Sequence, residues 1–168
     1  MILWINGNYG VGKSSVANLV NEKYPGHSKV LDPDELWLEA LKENKITIGG
    51  FYPQNNKDFV KLLKEKINKE MDKYDGVLII PMTITEEYSY NKLIQQFYYG
   101  NIKHIVLKAE KEVLKKRINQ DEGRDTQLAI SNIDRNDIFF KNKKIDMLID
   151  TTYKSIEEVA DEVINAIQ

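Results

Sequence analysis

The chain has 168 residues, 42% hydrophobic and 30% charged, which is typical of one folded domain and excludes a disordered or fibrous chain. The 24 Lys and Arg nearly balance the 26 Asp and Glu, so no overall positive field attracts nucleic acid, and we expect small molecules as partners. Cysteine is absent, which excludes disulfides and Cys-based zinc sites and is typical of a cytoplasmic protein. No apolar run approaches the roughly 20 residues of a spanning helix, so we expect no membrane insertion.

Short runs of consecutive apolar residues predict the strands of the fold. In chain order they occupy residues 2–5, 30–31, 77–80, 105–107 and 147–149. Their apolar residues are consecutive rather than alternating, which indicates strands buried on both faces. Segments with helical periodicity lie between them. The sequence therefore predicts an α/β fold over residues 1–168, with a mainly parallel sheet and helices on both faces.

The first strand runs directly into a glycine-rich loop with two glycines five positions apart, followed by Lys13 and Ser14. This is the spacing of a phosphate-binding P-loop, with a strand before it and a helical pattern after it. Its amides would cradle phosphates, Lys13 would reach the terminal phosphates, and Ser14 would be a Mg²⁺ ligand. The alternative is a tight turn that happens to be rich in glycine. The predicted residues for Mg·ATP are Gly7, Asn8, Tyr9, Gly10, Val11, Gly12, Lys13, Ser14 and Ser15.

The loop alone leaves three classes open: a kinase, a GTPase switch and an ATPase motor. Guanine recognition is expected to use Asn-Lys-x-Asp, and in the nearest segment, residues 142–146, the Asp comes one residue too late. A motor would need more chain for a transmission element. A small-molecule kinase is the simplest interpretation.

Carboxylates follow the second predicted strand, where ligands lie in an open parallel sheet. Asp32 could accept a proton from an acceptor hydroxyl or help to hold Mg²⁺, and Asp34 is a second candidate for contact with the substrate. The structural alternative is a helix start, with Asp32 as N-cap, Pro33 as the first helical residue and Glu35 three positions after the cap.

Arginine is confined to one part of the chain, at positions 117, 124 and 135. Because a guanidinium binds phosphate oxygens through two parallel bonds, we interpret residues 115–135 as a lid in which Arg117 and Arg124 stabilise the transferring phosphoryl group. The alternative is a solvated helix face.

Residues 44–56 form a long irregular stretch that we interpret as a substrate loop. Phe51 and Tyr52 within it could stack on a flat or apolar substrate, or could fill a gap in the core.

The segment after the third strand also borders the expected cleft. Met82 and Thr83 could shape an acceptor pocket there. Thr83 and Glu86 have capping-box spacing, so the same segment could instead begin a helix.

Two further features are predicted to be structural. Ser155 and Glu158 have capping-box spacing before a periodic apolar segment, which predicts a C-terminal helix. His27 and His104 lie far apart with no ligand pattern around them, and we interpret both as structural or surface residues.

Several segments together resemble the TmrB-like tunicamycin-resistance family of bacteria. They are Ile-Leu-Trp-Ile-Asn-Gly at residues 2–7, Asp-Pro at 32–33, Gly-Val-Leu-Ile-Ile-Pro-Met-Thr-Ile at 76–84 and Ile-Asp-Arg at 133–135. The resemblance implies a nucleoside-monophosphate-kinase-like fold with a five-stranded parallel sheet and a lid. It also implies ATP as ligand, with tunicamycin or a nucleoside-like compound as a possible substrate.

Three functional hypotheses follow. The first is an ATP-dependent phosphotransferase with Lys13, Asp32, Arg117 and Arg124 as catalytic residues. The second is a protein that sequesters a nucleotide or an antibiotic without efficient phosphoryl transfer. The third is a regulatory ATP switch with a protein partner.

Overall fold

The computed structural model describes residues 1–47, 52–98, 100–121 and 126–168. Phe51 and Arg124, two of the predicted site residues, lie outside this part of the chain, as do portions of the predicted substrate loop and lid. No helix among the described residues is both long enough and apolar enough to cross a membrane.

Within the described residues the sheet has five strands, and all of its pairings are parallel. The strands are β1 (Ile2–Gly7), β2 (Ser28–Val30), β3 (Val77–Pro81), β4 (Ile102–Lys108) and β5 (Met147–Asp150). Their spatial order is β2-β3-β1-β4-β5. The predicted α/β fold is therefore confirmed, and β1 lies at the centre, where Ile5 pairs with Pro81 on one side and Ile105 on the other.

Helices connect the strands and cover both faces of the sheet. They are α1 (Lys13–Lys23), α2 (Pro33–Lys42), α3 (Lys57–Met71), α4 (Glu87–Leu93), α5 (Lys111–Asn119), α6 (Thr126–Ser131), α7 (Ile133–Lys141) and α8 (Ile156–Ile167). Short 3₁₀ turns lie at Pro53–Asn55 and Gln95–Phe97.

Alternate residues of β1 contribute to the two halves of the core. Leu3 and Ile5 belong to the apolar cluster beneath α1 and α8, whereas Ile2 and Trp4 belong to the cluster beneath α3 and α4. All four side chains are buried. Both faces of β1 are covered, which explains why its apolar residues are consecutive in the sequence.

The C-terminal helix begins as the sequence predicts. The Ser155 side chain accepts a hydrogen bond from the Glu158 amide, and the Glu158 carboxylate accepts one from the Ser155 amide. Val159, Ala160 and Val163 then face the core, where α8 packs against α1.

The capping box that was the structural alternative for Thr83 and Glu86 does not form. Helix α4 begins only at Glu87, and Glu86 precedes it without a side-chain capping bond. The Thr83 hydroxyl instead donates to the backbone oxygen of Gly7, 2.8 Å away, and the Glu86 carboxylate pairs with Arg135. Tertiary contacts therefore use both side chains and keep residues 82–86 outside the helix.

Candidate functional site

The glycine-rich loop lies between β1 and α1, at the carboxyl edge of the central strand. Gly7 has φ 140°, and a Cβ there would come within 2.3 Å of the Leu107 backbone oxygen. Gly12 has φ 98°, which side chains rarely adopt, and a Cβ there would project into open space. The loop therefore requires glycine for close packing at one end and for its backbone conformation at the other, where the positive end of the α1 dipole begins.

Lys13 folds back over this loop. Its ammonium donates to the backbone oxygens of Gly7, at 3.2 Å, and Asn8, at 2.9 Å. The same Nζ lies 5.5 Å from the centre of the Tyr9 ring. A positive charge is thus held at the mouth of the loop, close to where the amides of α1 begin.

The Asn6 side chain fixes the start of the loop. Its Oδ1 accepts hydrogen bonds from the amides of Gly7, at 2.8 Å, and Ile84, at 2.9 Å. Its Nδ2 must therefore be the donor, and it lies 3.2 Å from both the Ile84 oxygen and His104 Nε2. His104 Nε2 then accepts, while its Nδ1 donates towards the Lys144 oxygen at 3.0 Å. Burial lowers the pKa of His104, in agreement with a neutral ring.

The Asn8 side chain connects the loop to α7. Asn8 Nδ2 donates to Asp137 Oδ1, and Asn8 Oδ1 accepts from Asn136 Nδ2, each at 2.8 Å. Asn8 and Asn136 are buried. Burial raises the pKa of the Asp137 carboxyl, although the hydrogen bond from Asn8 favours its ionised form.

A cleft of about 260 Å³ opens in front of the loop. It brings together many of the residues that the sequence predicts for the site, from the loop, α2, the substrate loop and the end of β3. These predicted residues are Tyr9, Gly10, Gly12, Lys13, Ser14, Ser15, Asp34, Tyr52, Met82 and Thr83. Pro53, Gln54, Pro81 and Asp121 complete the lining. The predicted loop residue Val11 instead packs into the core.

A pair of aromatic rings separates this cleft from a second pocket. Tyr9 and Tyr52 stack with ring centres 5.2 Å apart and an angle of 22° between the planes. The second pocket has a volume of about 230 Å³, and both rings also line it. Its other lining residues are mostly amides, hydroxyls and charged groups: Gln54, Asn55, Thr85, Glu86, Leu128, Asn132, Arg135 and Asn136.

Gln54 holds the substrate-loop side of the cleft in place. Its Nε2 donates to the Thr85 hydroxyl at 3.1 Å, and its Oε1 accepts from the Thr85 amide at 2.6 Å. The Ser89 hydroxyl donates to the backbone oxygen of Gln54. Tyr52 and Pro53 are thereby tied to the segment that follows β3.

Asp32 and Asp34 have different surroundings although both stand at the start of α2. The Asp32 carboxylate accepts a 2.8 Å hydrogen bond from the Asp34 amide, as an N-cap does. This agrees with the structural alternative for Asp32. Asp34, and not Asp32, is among the residues that line the larger cleft.

The described arginines contact other parts of the protein. The Arg117 guanidinium donates to the hydroxyl and the backbone oxygen of Thr151, at 3.1 and 3.0 Å. Arg135 pairs with Glu86 at the smaller pocket. Neither arginine lines the larger cleft, and Arg124 lies outside the described residues.

The polar side chains that hold the loop were not among the predicted site residues. Asn6 had a signal, since a polar residue ends an otherwise apolar strand. Gln54, Asn136 and Asp137 had none, because their contacts join segments that are far apart in the sequence.

The fold and the loop together define a P-loop protein with a kinase-like architecture. Residues 2–136 match the AAA_33 family, described as an AAA domain, and the chain belongs to this family. No curated protein matches the sequence significantly.

Solved structures share the fold across nearly the whole chain. The tunicamycin resistance protein of Deinococcus radiodurans is 24% identical with a TM-score of 0.79, and the match covers 99% of this chain and 94% of the other. A gluconokinase from Sinorhizobium meliloti is 16% identical, with a TM-score of 0.65 and coverages of 98% and 90%. Shikimate kinase from Aquifex aeolicus is 21% identical, with a TM-score of 0.59 and coverages of 99% and 96%. The resemblance identified from the sequence is thus confirmed at the level of the fold.

Proposed function

We propose that this protein transfers the terminal phosphoryl group of Mg·ATP to a hydroxyl group of a small molecule. One observation carries the proposal: the glycine-rich loop and the Asp34 carboxylate line the same cleft, and a polar pocket adjoins it. Phosphoryl transfer needs a phosphate cradle, a group that orients the acceptor hydroxyl and a space for the acceptor.

The loop residues fit a bound polyphosphate. Open space at Gly12, the amino end of α1 and the Lys13 ammonium offer an amide cradle and a positive charge to an anion. The Ser14 hydroxyl, which also lines the cleft, would be a ligand of Mg²⁺. When bound, Mg²⁺ would neutralise charge on the phosphate oxygens.

Of the two carboxylates predicted after β2, Asp34 is the better placed for the acceptor. It lines the cleft together with Lys13 and Tyr52, so it would accept the proton of the attacking hydroxyl or orient that hydroxyl. Asp32 supports it by capping α2. We assign the reacting hydroxyl of the acceptor to the cleft beside Asp34, and the rest of the acceptor to the polar pocket beyond Tyr9 and Tyr52, which line both spaces.

Tunicamycin or a nucleoside-like compound is the first acceptor to test, and antibiotic resistance would be the corresponding role. The neighbouring structure described as a tunicamycin resistance protein supports this choice. The stacked tyrosines and the amide and hydroxyl lining suit a molecule with rings and many hydroxyl groups.

The proposal is tested by incubating the purified protein with Mg·ATP and a pool of tunicamycin, nucleosides and hydroxylated antibiotics. Mass spectrometry should detect one compound that gains a single phosphoryl group, and this product should vanish in Lys13→Ala. Absence of any product, despite measured ATP binding, would contradict transfer to these acceptor classes.

Sequestration of a nucleotide or an antibiotic is the second candidate. It is favoured by the arrangement of Arg117, which is bonded to Thr151 and does not line the larger cleft. If the protein acts by sequestration, the Asp34→Asn variant should keep full affinity for the antibiotic, and cells that express the variant should keep full protection. Loss of protection together with loss of phosphoryl transfer would exclude sequestration.

A further inference from the structure

The side chain of Asn8 is held by two consecutive residues of α7, and none of the roles above uses this contact. Asn8 is 2% exposed and Asn136 is 3% exposed, so their amides are nearly sealed from water. Both hydrogen bonds of the Asn8 side chain, to Asn136 and to Asp137, are 2.8 Å long. Buried polar groups of this kind are costly to leave without partners.

The hydrogen-bonding chemistry allows only one orientation of the Asn8 amide. An ionised Asp137 only accepts hydrogen bonds, so it must face Asn8 Nδ2. Asn8 Oδ1 then faces Asn136, which presents its Nδ2 as donor. The two α7 residues are therefore complementary to the two ends of one amide.

The backbone of Asn8 binds the lysine of the glycine-rich loop directly. Its carbonyl oxygen accepts a 2.9 Å hydrogen bond from the Lys13 ammonium. A side chain fixed at two points restricts rotation of the residue that carries this carbonyl. Arg135, next to Asn136 in the sequence, pairs with Glu86 and gives α7 a separate attachment to the segment that follows β3.

We propose that Asn136 and Asp137 are positioning residues of the phosphate-binding loop. They hold Asn8 so that its backbone oxygen keeps the Lys13 ammonium at the mouth of the cradle. This inference rests on the proposed function only in that Lys13 binds the phosphates of a nucleotide. Its consequence is that nucleotide affinity depends on residues more than a hundred positions away in the sequence.

An exchange of the two side chains provides the sharpest test. In Asn136→Asp two carboxylates face the ends of the Asn8 amide, and only one can find a donor, so affinity for Mg·ATP should fall about tenfold. Asp137→Asn replaces the charged acceptor of the Asn8 bond with a neutral amide oxygen, so affinity should fall less than in Asn136→Asp. In the double variant Asn136→Asp with Asp137→Asn, the Asn8 amide can turn over and regain both bonds. We therefore expect the double variant to recover most of the lost affinity.

Calorimetric titration with Mg·ATP measures the nucleotide affinity of each variant, and thermal unfolding measures its stability. Together they distinguish a loss of affinity caused by a misplaced loop from one caused by unfolding. Asn142→Ala is the matched control. Within the described residues the Asn142 amide donates to the Ile138 backbone oxygen at the end of the same helix and makes no hydrogen bond to the loop, so affinity should not change. If Asn136→Asp does not fold, Asn136→Ala, which removes the donor without adding charge, should still weaken ATP binding.

Two results would overturn the inference. One is wild-type affinity in folded Asn136→Asp and Asn136→Ala, which would leave these residues with a stabilising role alone. The other is a double variant that binds ATP no better than Asn136→Asp. Both readouts are binding measurements, so they decide the matter even if the wild-type protein phosphorylates no acceptor.

Discussion

Asp32 and Asp34 lie at the start of the same helix, but their chemical surroundings differ. Asp32 is a helix N-cap, whereas Asp34 lines the cleft in front of the loop. The sequence places both carboxylates after β2, and their separate roles depend on which side chain turns towards the helix amides. The Asp-Pro pair indicates which residue caps the helix, but whether Asp34 reaches the cleft depends on how α2 packs beside the loop, which the local sequence does not determine.

We predict that Asp34→Asn lowers kcat for phosphoryl transfer by about 100-fold or more, with ATP affinity little changed. The reason is the loss of the group that would accept the proton of the acceptor hydroxyl. Steady-state kinetics with the acceptor found in the mass-spectrometric screen provide the measurement.

Asp32→Asn is the matched control for this prediction. Asparagine caps a helix about as well as aspartate does, so kcat should change little. A larger loss of kcat in Asp32→Asn than in Asp34→Asn would show that the proton-accepting role belongs to Asp32.

Two segments with the residue spacing of a capping box have different structures. Ser155 and Glu158 form a capping box at the start of α8, whereas Thr83 and Glu86 form none before α4. Nothing in the local sequence distinguishes them. What differs is the competition from distant groups, because Gly7 lies within reach of the Thr83 hydroxyl.

We predict that Ser155→Ala lowers the free energy of unfolding by about 1 kcal/mol, since the Glu158 amide loses its acceptor. Chemical denaturation followed by circular dichroism measures this change. Asn165→Ala, an exposed substitution later in α8, should change the same free energy by less than about 0.5 kcal/mol. An equal effect of the two substitutions would mean that the cap contributes nothing.

The elements themselves could be predicted to a large extent from the sequence. Each apolar run overlaps a strand. Strands β1 and β3 are buried along their whole length, as consecutive apolar residues indicate, whereas the edge strands β2 and β5 are only partly buried, so the prediction of burial on both faces is wrong for them. The phosphate loop could be predicted because its glycines and its lysine are adjacent in the chain. The contacts of Asn8 with α7 and of Arg117 with Thr151 could not, since they depend on how distant elements come together.

A buried histidine makes the free energy of unfolding of the whole protein depend on pH. His104 is fully buried on β4, between Asn6 and the backbone of Lys144, and burial lowers its pKa below the ordinary value of 6.5. As pH falls below 6.5, the unfolded chain binds a proton that the folded protein does not. Stability should therefore decrease on acidification, until the pH reaches the folded-state pKa.

We predict that this group adds a slope of at most about 1.4 kcal/mol per pH unit to the free energy of unfolding just below pH 6.5. Denaturation curves between pH 7 and pH 5 should show that His104→Gln removes this part of the slope. His27→Gln, at an exposed position, should keep it. Identical pH profiles for wild type and His104→Gln would mean that the folded protein tolerates a charged ring.

An equilibrium titration of the wild-type protein and Lys13→Ala with Mg·ATP tests most directly whether the glycine-rich loop is the nucleotide site. We expect one nucleotide bound per chain and an affinity at least about tenfold weaker in the variant, because the ammonium at the mouth of the loop is lost. Equal affinities of the two proteins, or no binding to the wild type, would contradict the assignment of the glycine-rich loop as the nucleotide site.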